Sequence, residues 1–124
     1  MSRTVMITGA AGGLGGALAE EFRAQGDHLV LTDRSSELSA FHASSTEELI
    51  SADLCDSDDL QRLCARLESG EPAIDLLINN AGIGVPGSVS TLDDALLTKH
   101  IDINLTAPMR LCQAAARGML SRGK

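Results

Sequence analysis

Short apolar runs alternate along the chain with longer stretches in which apolar residues recur every three or four positions. The short runs predict buried strands, and the longer periodic stretches predict amphipathic helices. Strands that alternate with helices in this way are typical of a parallel sheet covered on both faces, so a single α/β domain is predicted over residues 1–124. The predicted strands cover residues 5–8, 28–32, 49–52 and 74–78, and the predicted helices begin at Leu14, Ser36, Ser57, Thr91 and Thr106.

The helix patterns also predict how the helices begin and which side chains they bury. Thr91 followed by Asp94 has the spacing of a capping box, and Thr106 with Pro108 in the next turn predicts the start of the last helix. The helix from Ser36 is predicted to be short and to end near residue 42. The predicted buried stripes are Leu14, Ala17, Leu18 and Phe22 in the first helix, Leu60, Leu63, Cys64 and Leu67 in the third, and Leu111, Ala115, Gly118 and Met119 in the last.

Composition argues against several classes of protein. The 124 residues carry a net charge of −7, which disfavours binding to nucleic acid or to an anionic membrane. The apolar runs are too short to cross a bilayer and the N-terminus lacks the pattern of a signal peptide, so a cytoplasmic protein is expected. Cys55, Cys64 and Cys112 form no C-x-x-C pair, and the histidines have no ligand spacing. We therefore expect no disulfide framework and no metal site, with Cys64 and Cys112 as small buried side chains.

The first strand runs into a glycine-rich segment, Thr8-Gly9-Ala10-Ala11-Gly12-Gly13-Leu14-Gly15, that opens the first helix. Glycine permits the sharp turn, and without a Cβ atom the backbone N–H groups can approach a pyrophosphate at the helix N-terminus. A glycine turn that binds nothing has the same local pattern, but the position between a strand and a helix favours a phosphate site. The candidate binding residues here are Gly9, Ala11, Gly12, Gly13, Leu14 and Gly15.

A carboxylate, Asp33, ends the second strand, 18 positions after Gly15. A carboxylate there can accept hydrogen bonds from both hydroxyls of an adenosine ribose, as in NAD, and it would repel the 2′-phosphate of NADP. Arg34 follows directly and favours the opposite cofactor, NADP, because its guanidinium can pair with the 2′-phosphate. We favour NAD over NADP, since the carboxylate must be overcome first and the glycine turn carries no Lys or Arg.

Three further motifs complete a resemblance. Asp53-Leu54 follows the third strand, Asn79-Asn80-Ala81-Gly82 follows the fourth, and Asn104 lies in Asp102-Ile103-Asn104-Leu105. Together with the glycine turn, and in this order, they make the chain similar to the short-chain dehydrogenase/reductase family from Val5 onwards. The resemblance implies a Rossmann-type, doubly wound parallel sheet in three α/β/α layers, of which strands 1–4 form the N-terminal, cofactor-binding half.

The resemblance also implies roles for these residues. Asp53 and Leu54 lie beside the adenine ring in the family. Asn80, Ala81 and Gly82 border the cofactor, whereas Asn79 is expected to stabilise the sheet. Asn104 matches a residue that bends its helix and holds a water feeding a proton relay; a polar side chain facing solvent is the alternative.

The family's chemistry also needs a Ser and a Tyr-x-x-x-Lys motif, and the 124 residues include no tyrosine. We therefore expect the sequence to be truncated before that segment and the chain alone to be inactive, with Asn104 the catalytic residue present. The expected parent is an NAD(P)-dependent oxidoreductase that moves hydride between nicotinamide and an alcohol or ketone, with a possible homo-oligomer contact along the helix from Thr106. The alternative is a non-catalytic dinucleotide-binding half-domain that pairs with a partner chain through the last helix and the apolar strand 74–78, which would otherwise be an exposed edge.

Overall fold

The computed structural model describes residues 2–38 and 47–123. The described strands are β1 (Thr4–Thr8), β2 (His28–Asp33), β3 (Glu48–Ser51) and β4 (Leu76–Ile78). The described α-helices are α1 (Gly13–Ala24), α2 (Ser35–Leu38), α3 (Ser57–Ser69), α4 (Asp94–Ile101) and α5 (Ala107–Ser121), with a 3₁₀ turn at Val89–Thr91 and a π-helical segment at Asp102–Thr106. The predicted helix over residues 36–42 is described only as far as α2, and its remainder lies outside the described residues.

The four strands form one parallel sheet in the order β3-β2-β1-β4, which confirms the predicted α/β architecture. Val5 of β1 lies between Leu29 of β2 and Leu76 of β4. The chain moves outward through β2 and β3 and then returns to the other side of β1. The direction of strand order therefore reverses between β1 and β4, and the carboxyl ends of strands at such a reversal form a crevice.

Each face of the sheet has its own apolar core, because alternate residues of a strand point to opposite faces. On one face, Val5 and Ile7 pack with Ala19 of α1. On the other, Met6 packs with α3 and α5, through residues such as Leu63 and Leu111. All six of these side chains are fully buried. The helices on the two faces thus give the three layers expected from the sequence.

The predicted stripes of α3 and α5 are confirmed, but that of α1 is partly wrong. Leu14 is 69% exposed, and Ala17 is exposed as well. The buried face of α1 instead centres on Gly15 and Ala19, with Leu18 half-buried. The buried face of α1 is therefore rotated about the helix axis relative to the prediction. The cause is steric, because Gly15 has no side chain and this face of α1 can approach the glycine turn closely.

The predicted start of α4 is wrong. α4 begins after Asp93, whose carboxylate accepts a hydrogen bond from the Leu96 N–H at 2.7 Å, and no capping box forms between Thr91 and Asp94. Thr91 belongs to the preceding 3₁₀ turn and donates from its hydroxyl to the carbonyl of Ser88 at 3.1 Å. The carboxylate of Asp93 thus satisfies the Leu96 N–H, two residues beyond the Asp94 N–H that a cap by Thr91 would have reached.

The last helix, α5, starts where predicted, with Thr106 at the N-cap position and Pro108 in the first turn, but the predicted cap does not form because α4 and α5 are continuous through the π-helical segment. Thr106 has helical dihedrals, φ −63° and ψ −50°, and its side chain caps nothing. Pro108 lacks an N–H and its ring crowds the carbonyl four residues earlier, which in an ordinary α-helix breaks the helix. The wider i→i+5 turns of Asp102–Thr106 give that carbonyl room, so the chain continues.

The cysteines divide between the core and the surface. Cys64 is buried in the core between α3 and α5, as predicted, whereas Cys112 is exposed, so the prediction for Cys112 is wrong. Cys112 follows the fully buried Leu111 on α5 and is turned about 100° from it around the helix axis. In the described ranges, no group of His, Cys, Asp and Glu is placed to hold a metal ion, and no helix combines the length and apolarity that crossing a membrane requires.

Close packing of α5 on α3 depends on Gly118. A Cβ atom added there would lie 2.5 Å from the carbonyl oxygen of Leu67 and 3.1 Å from that of Glu68. We expect Gly118→Ala to lower the free energy of unfolding by about 1–3 kcal/mol, because the backbone of α3 must move. The matched control is Gly16→Ala on α1, where the nearest atom would be 3.9 Å away.

Urea unfolding of both variants tests this packing. Gly16→Ala should be neutral or stabilising by up to about 1 kcal/mol, since alanine is the better helix former. Equal stabilities of the two variants would contradict the tight contact at Gly118.

Candidate functional site

A cleft of about 540 Å³ opens at the carboxyl ends of β1, β2 and β4, at the reversal of strand order. Most of the residues predicted to bind a cofactor line it: Gly9, Gly12, Leu14, Gly15, Asp33, Arg34, Asp53, Leu54, Asn80, Ala81 and Gly82. Ala11, Gly13 and Asn104 lie nearby but do not line it. The structure therefore brings together, at one edge of the sheet, motifs that are far apart in the sequence.

The glycine turn is shaped by contacts within the protein. Gly9 has a φ of +64°, and a Cβ atom there would lie 2.9 Å from the Cα atom of Ala81. A Cβ atom on Gly15 would overlap the carbonyl oxygen of Gly9, whereas one on Gly13 would meet nothing within 4 Å. Glycine is therefore required by packing at positions 9 and 15, while the open space at Gly13 shows no such requirement.

The N-terminus of α1 faces this turn with its backbone donors uncapped. The N-cap residue, Gly12, has no side chain to accept their hydrogen bonds, and the first turn of α1 contains no acidic residue. The first N–H groups of a helix lack partners within the helix, and they lie at the positive end of the helix dipole. This corner of the cleft can therefore bind an anionic group such as a phosphate.

Asn80 and Thr8 tie the ends of β4 and β1 together. The side-chain N–H₂ of Asn80 donates to the carbonyls of Thr8, at 3.1 Å, and Gly9, at 3.2 Å. The Thr8 hydroxyl in turn accepts from the backbone N–H groups of Asn80 and Ala81, at 3.1 and 3.0 Å. Asn79, expected to stabilise the sheet, instead points to α5 and donates to the Cys112 sulfur at 3.1 Å. That part of the prediction is wrong, because the strand-tying role belongs to Asn80.

Asp33 joins the end of β2 to the glycine turn. One carboxylate oxygen accepts from the Ala11 N–H at 3.0 Å, and the other accepts from the Arg34 N–H at 2.8 Å. The Arg34 guanidinium reaches toward α2, with its Nη2 atom 3.5 Å from Oε1 of Glu37. Each carboxylate oxygen of Asp33 keeps a lone pair for a further donor, so the carboxylate can still accept hydroxyl hydrogen bonds from the cleft.

Asp53 organises the turn between β3 and α3. Its carboxylate accepts from the Cys55 N–H at 2.9 Å, and its own N–H donates to Asp59 at 2.9 Å. This backbone hydrogen bond, and then the contact with Arg62, lowers the pKa of Asp59. Burial, followed by the charge of Asp53, raises the pKa of the Cys55 thiol, so this cysteine is not activated as a nucleophile.

Asn104 lies in the π-helical segment and binds the loop that follows β4. Its side-chain oxygen accepts from the Ile83 N–H, and its side-chain N–H₂ donates to the Ile83 carbonyl, both at 2.8 Å. A Cβ atom on Gly82 would lie 3.2 Å from that side-chain oxygen. Although the residue is exposed, its amide holds Gly82 and Ile83 against the helix, and it keeps one N–H and one lone pair for a further partner.

Several cleft residues were missed by reasoning from the sequence. Glu37 had a detectable signal, since it lies three positions after Arg34 on a predicted helix. Lys99 and Ile103 had none, because only the packing of α4 and the π-helical segment brings them over the cleft. The missed lining residues are Thr8, Thr32, Glu37, Ala52, Ile83, Lys99 and Ile103.

Comparison with known proteins points to one family. The sequence model described as short chain dehydrogenase matches residues 3–124. Nodulation protein G of a Rhizobium species is 32% identical over 124 residues, which is 97% of this chain and 50% of that protein. The chain thus spans about half the length of the curated relatives it matches.

Solved structures give the same picture. A short-chain dehydrogenase from Sphingobium yanoikuyae in complex with NADPH is similar with a TM-score of 0.89 at 35% identity, over 98% of this chain and 50% of that one. A short chain dehydrogenase from Leptospira borgpetersenii with bound NAD⁺ has a TM-score of 0.87 at 27% identity, over 100% of this chain and 48% of that one.

The two hydrogen bonds of Asn104 predict the behaviour of the loop after β4. Asn104→Ala removes both, and at about 0.5–1.5 kcal/mol each we expect amide exchange of Ile83 to accelerate about tenfold or more. Hydrogen exchange followed by NMR measures this rate. Asn79→Ala, which removes an amide bonded elsewhere, is the control and should leave Ile83 unchanged; equal exchange in both variants would show that Asn104 does not hold the loop.

Proposed function

The chain belongs to the short chain dehydrogenase family, and from this membership we propose that its cleft binds a nicotinamide adenine dinucleotide. The observation that carries the proposal is the corner formed by the glycine turn and the uncapped N-terminus of α1. There the N-cap residue Gly12 has no side chain to cover the first N–H groups of α1, so these donors stay open to a pyrophosphate. The residues present therefore suit the anionic centre of a dinucleotide.

We assign the adenosine half of the dinucleotide to the β2 and β3 side of the cleft. Asp33 would accept hydrogen bonds from the ribose hydroxyls, which favours NAD over NADP. Leu54 and Ile103 provide apolar surface for the adenine, beside the carboxylate of Asp53. The two solved relatives bind NADPH and NAD⁺ respectively, so the choice of NAD rests on Asp33.

We assign the nicotinamide half to the β4 side, next to Asn80, Ala81 and Gly82. When bound, the nicotinamide would accept hydride from an alcohol or supply it to a ketone in the whole protein. This chain would contribute the position of the ring, because Asn104 holds the Gly82–Ile83 backbone in place. The expectation that the 124 residues alone show no turnover stays a prediction, as does the assignment of Asn104 to a proton relay.

A second candidate function is a dinucleotide-binding half-domain that pairs with a partner chain, including a second copy through α5. The observation in its favour is the apolar surface of α4 and α5, where Leu97, Ile101 and Met109 are exposed. One edge of β4 also has no neighbouring strand among the described residues. For either function we propose a cytoplasmic location, which suits the three free thiols.

Titration with NAD⁺, followed by calorimetry, tests the phosphate corner. Gly12→Val places a side chain in the cleft without a backbone clash, because a Cβ atom there lies 3.5 Å from its nearest neighbour. We expect this variant to bind NAD⁺ at least about tenfold more weakly, since it blocks the approach of the pyrophosphate to the α1 amides. Gly16→Ala, on the same helix but outside the cleft, should bind like the wild type.

Two results would reject the proposal. If the folded wild-type chain binds neither NAD⁺ nor NADP⁺, the cleft is not a dinucleotide site. If Gly12→Val stays folded and retains its affinity, the pyrophosphate does not lie at the glycine turn.

Asp33→Asn tests the ribose contact by removing the charge and keeping the shape. Because the carboxylate repels a 2′-phosphate, we expect the preference for NAD⁺ over NADP⁺ to fall by about tenfold or more. Asp58→Asn, the same charge change on the first turn of α3 outside the cleft, is the control. An unchanged ratio of the two dissociation constants in Asp33→Asn would remove Asp33 from the ribose.

A further inference from the structure

Two charged residues of opposite sign lie beside Asp33 at the ribose end of the cleft. Arg34 and Glu37 both line it, and their side chains approach to 3.5 Å between Nη2 and Oε1. The side chains are 57% and 50% exposed, so both remain accessible from the cleft and from solvent. The backbone N–H of Arg34 is bound to Asp33, which anchors the base of the arginine next to the ribose position.

An unopposed guanidinium at this position would favour a 2′-phosphate. Arginine presents several N–H donors in a planar fork that matches phosphate oxygens, and it stays charged at all relevant pH values. Asp33 repels a phosphate while Arg34 attracts one, so these two residues alone leave opposite tendencies at the same subsite. The structure adds the carboxylate of Glu37, whose Oε1 atom lies 3.5 Å from Nη2 of the guanidinium.

We propose that Glu37 is a specificity-determining residue, which disfavours NADP by engaging Arg34 and by adding a second negative charge beside the 2′ position. This inference rests on the proposed dinucleotide function. A 2′-phosphate must draw Arg34 away from Glu37 and must approach two carboxylates, whereas the 2′-hydroxyl of NAD needs neither. Glu37 therefore acts on the choice between the two cofactors and leaves the binding of NAD itself largely unaffected.

The geometry of the pair explains why its effect lies in ligand choice and not in stability. An exposed ion pair spaced i,i+3 adds little to the stability of a helix, and α2 is only four residues long. A phosphate, however, gains a charge-assisted, two-pronged contact when the guanidinium is released. Two other charged residues line the cleft, Lys99 and Asp53, and their opposite charges balance each other. The net negative charge of the lining therefore comes from Asp33 and Glu37 together with Arg34.

A double-mutant cycle on Arg34 and Glu37 tests this inference, with dissociation constants for NAD⁺ and NADP⁺ measured by calorimetry on the full chain. Glu37→Gln should tighten NADP⁺ binding about threefold to tenfold and change NAD⁺ binding less than about twofold. In the Arg34→Ala background the same substitution should have a clearly smaller effect on NADP⁺. Glu21→Gln on α1 is the charge-matched control, and if wild-type NADP⁺ binding is too weak to titrate, the cycle is built on Asp33→Asn.

The outcomes separate this inference from the function on which it rests. Wild-type binding of NAD⁺ with no effect of Glu37→Gln on NADP⁺ would overturn the role of Glu37 and leave the dinucleotide site standing. An equal gain with and without Arg34 would overturn the engagement of the guanidinium. Failure of the wild type to bind either dinucleotide would overturn the proposed function and this inference together.

Discussion

The hydrogen bonds of the Asn80 side chain to the carbonyls of Thr8 and Gly9 bring the ends of β4 and β1 together. Because these strand ends are so close, the backbone of Ala81 lies against Gly9, and a side chain at Gly9 has no room. The same turn then carries its Gly9 carbonyl into the space that a side chain on Gly15 would occupy. Glycine is thus required at positions 9 and 15 by how the protein packs on itself, so the shape of the turn does not depend on a bound ligand.

The other walls of the cleft are held on the same principle, by a polar side chain of one element bonded to the backbone of another. Asp33 connects β2 to the glycine turn through the Ala11 N–H. Asn104 connects the π-helical segment to the loop after β4 through both backbone groups of Ile83. Loops at a strand edge are usually the mobile part of an α/β fold, and a buried or bonded backbone group resists that motion. The cleft is therefore shaped in advance at each of its three walls.

Periodicity in the sequence was sufficient for the architecture but not for the orientation of individual residues. The strands and the buried stripe of α3 follow from patterns that depend only on local geometry. Asn79 and Asn80 are chemically identical and adjacent, and extended residues alternate in direction, so only the register of β4 decides which one reaches β1. Leu14 fits a helical stripe equally well, yet the close approach at Gly15 rotates α1 and leaves Leu14 at the cleft. These features depend on contacts between distant segments, which spacing along the chain does not contain.

The net charge of the chain, −7, is compatible with an anionic ligand because the helices differ in whether carboxylates occupy their N-termini. α3 starts with a cap from Asp56 and has Asp58 and Asp59 in its first turn, and α4 is capped by Asp93. These carboxylates satisfy the N-terminal donors of their own helices. α1 alone among these three has an N-cap residue without a side chain, Gly12, and has no acid in its first turn.

The net charge of a protein acts over distances at which salt screens it, whereas a bound phosphate interacts with amides a few ångströms away. The distribution of aspartates thus keeps acidic surface in general while leaving one positive helix end open, and that end faces the cleft.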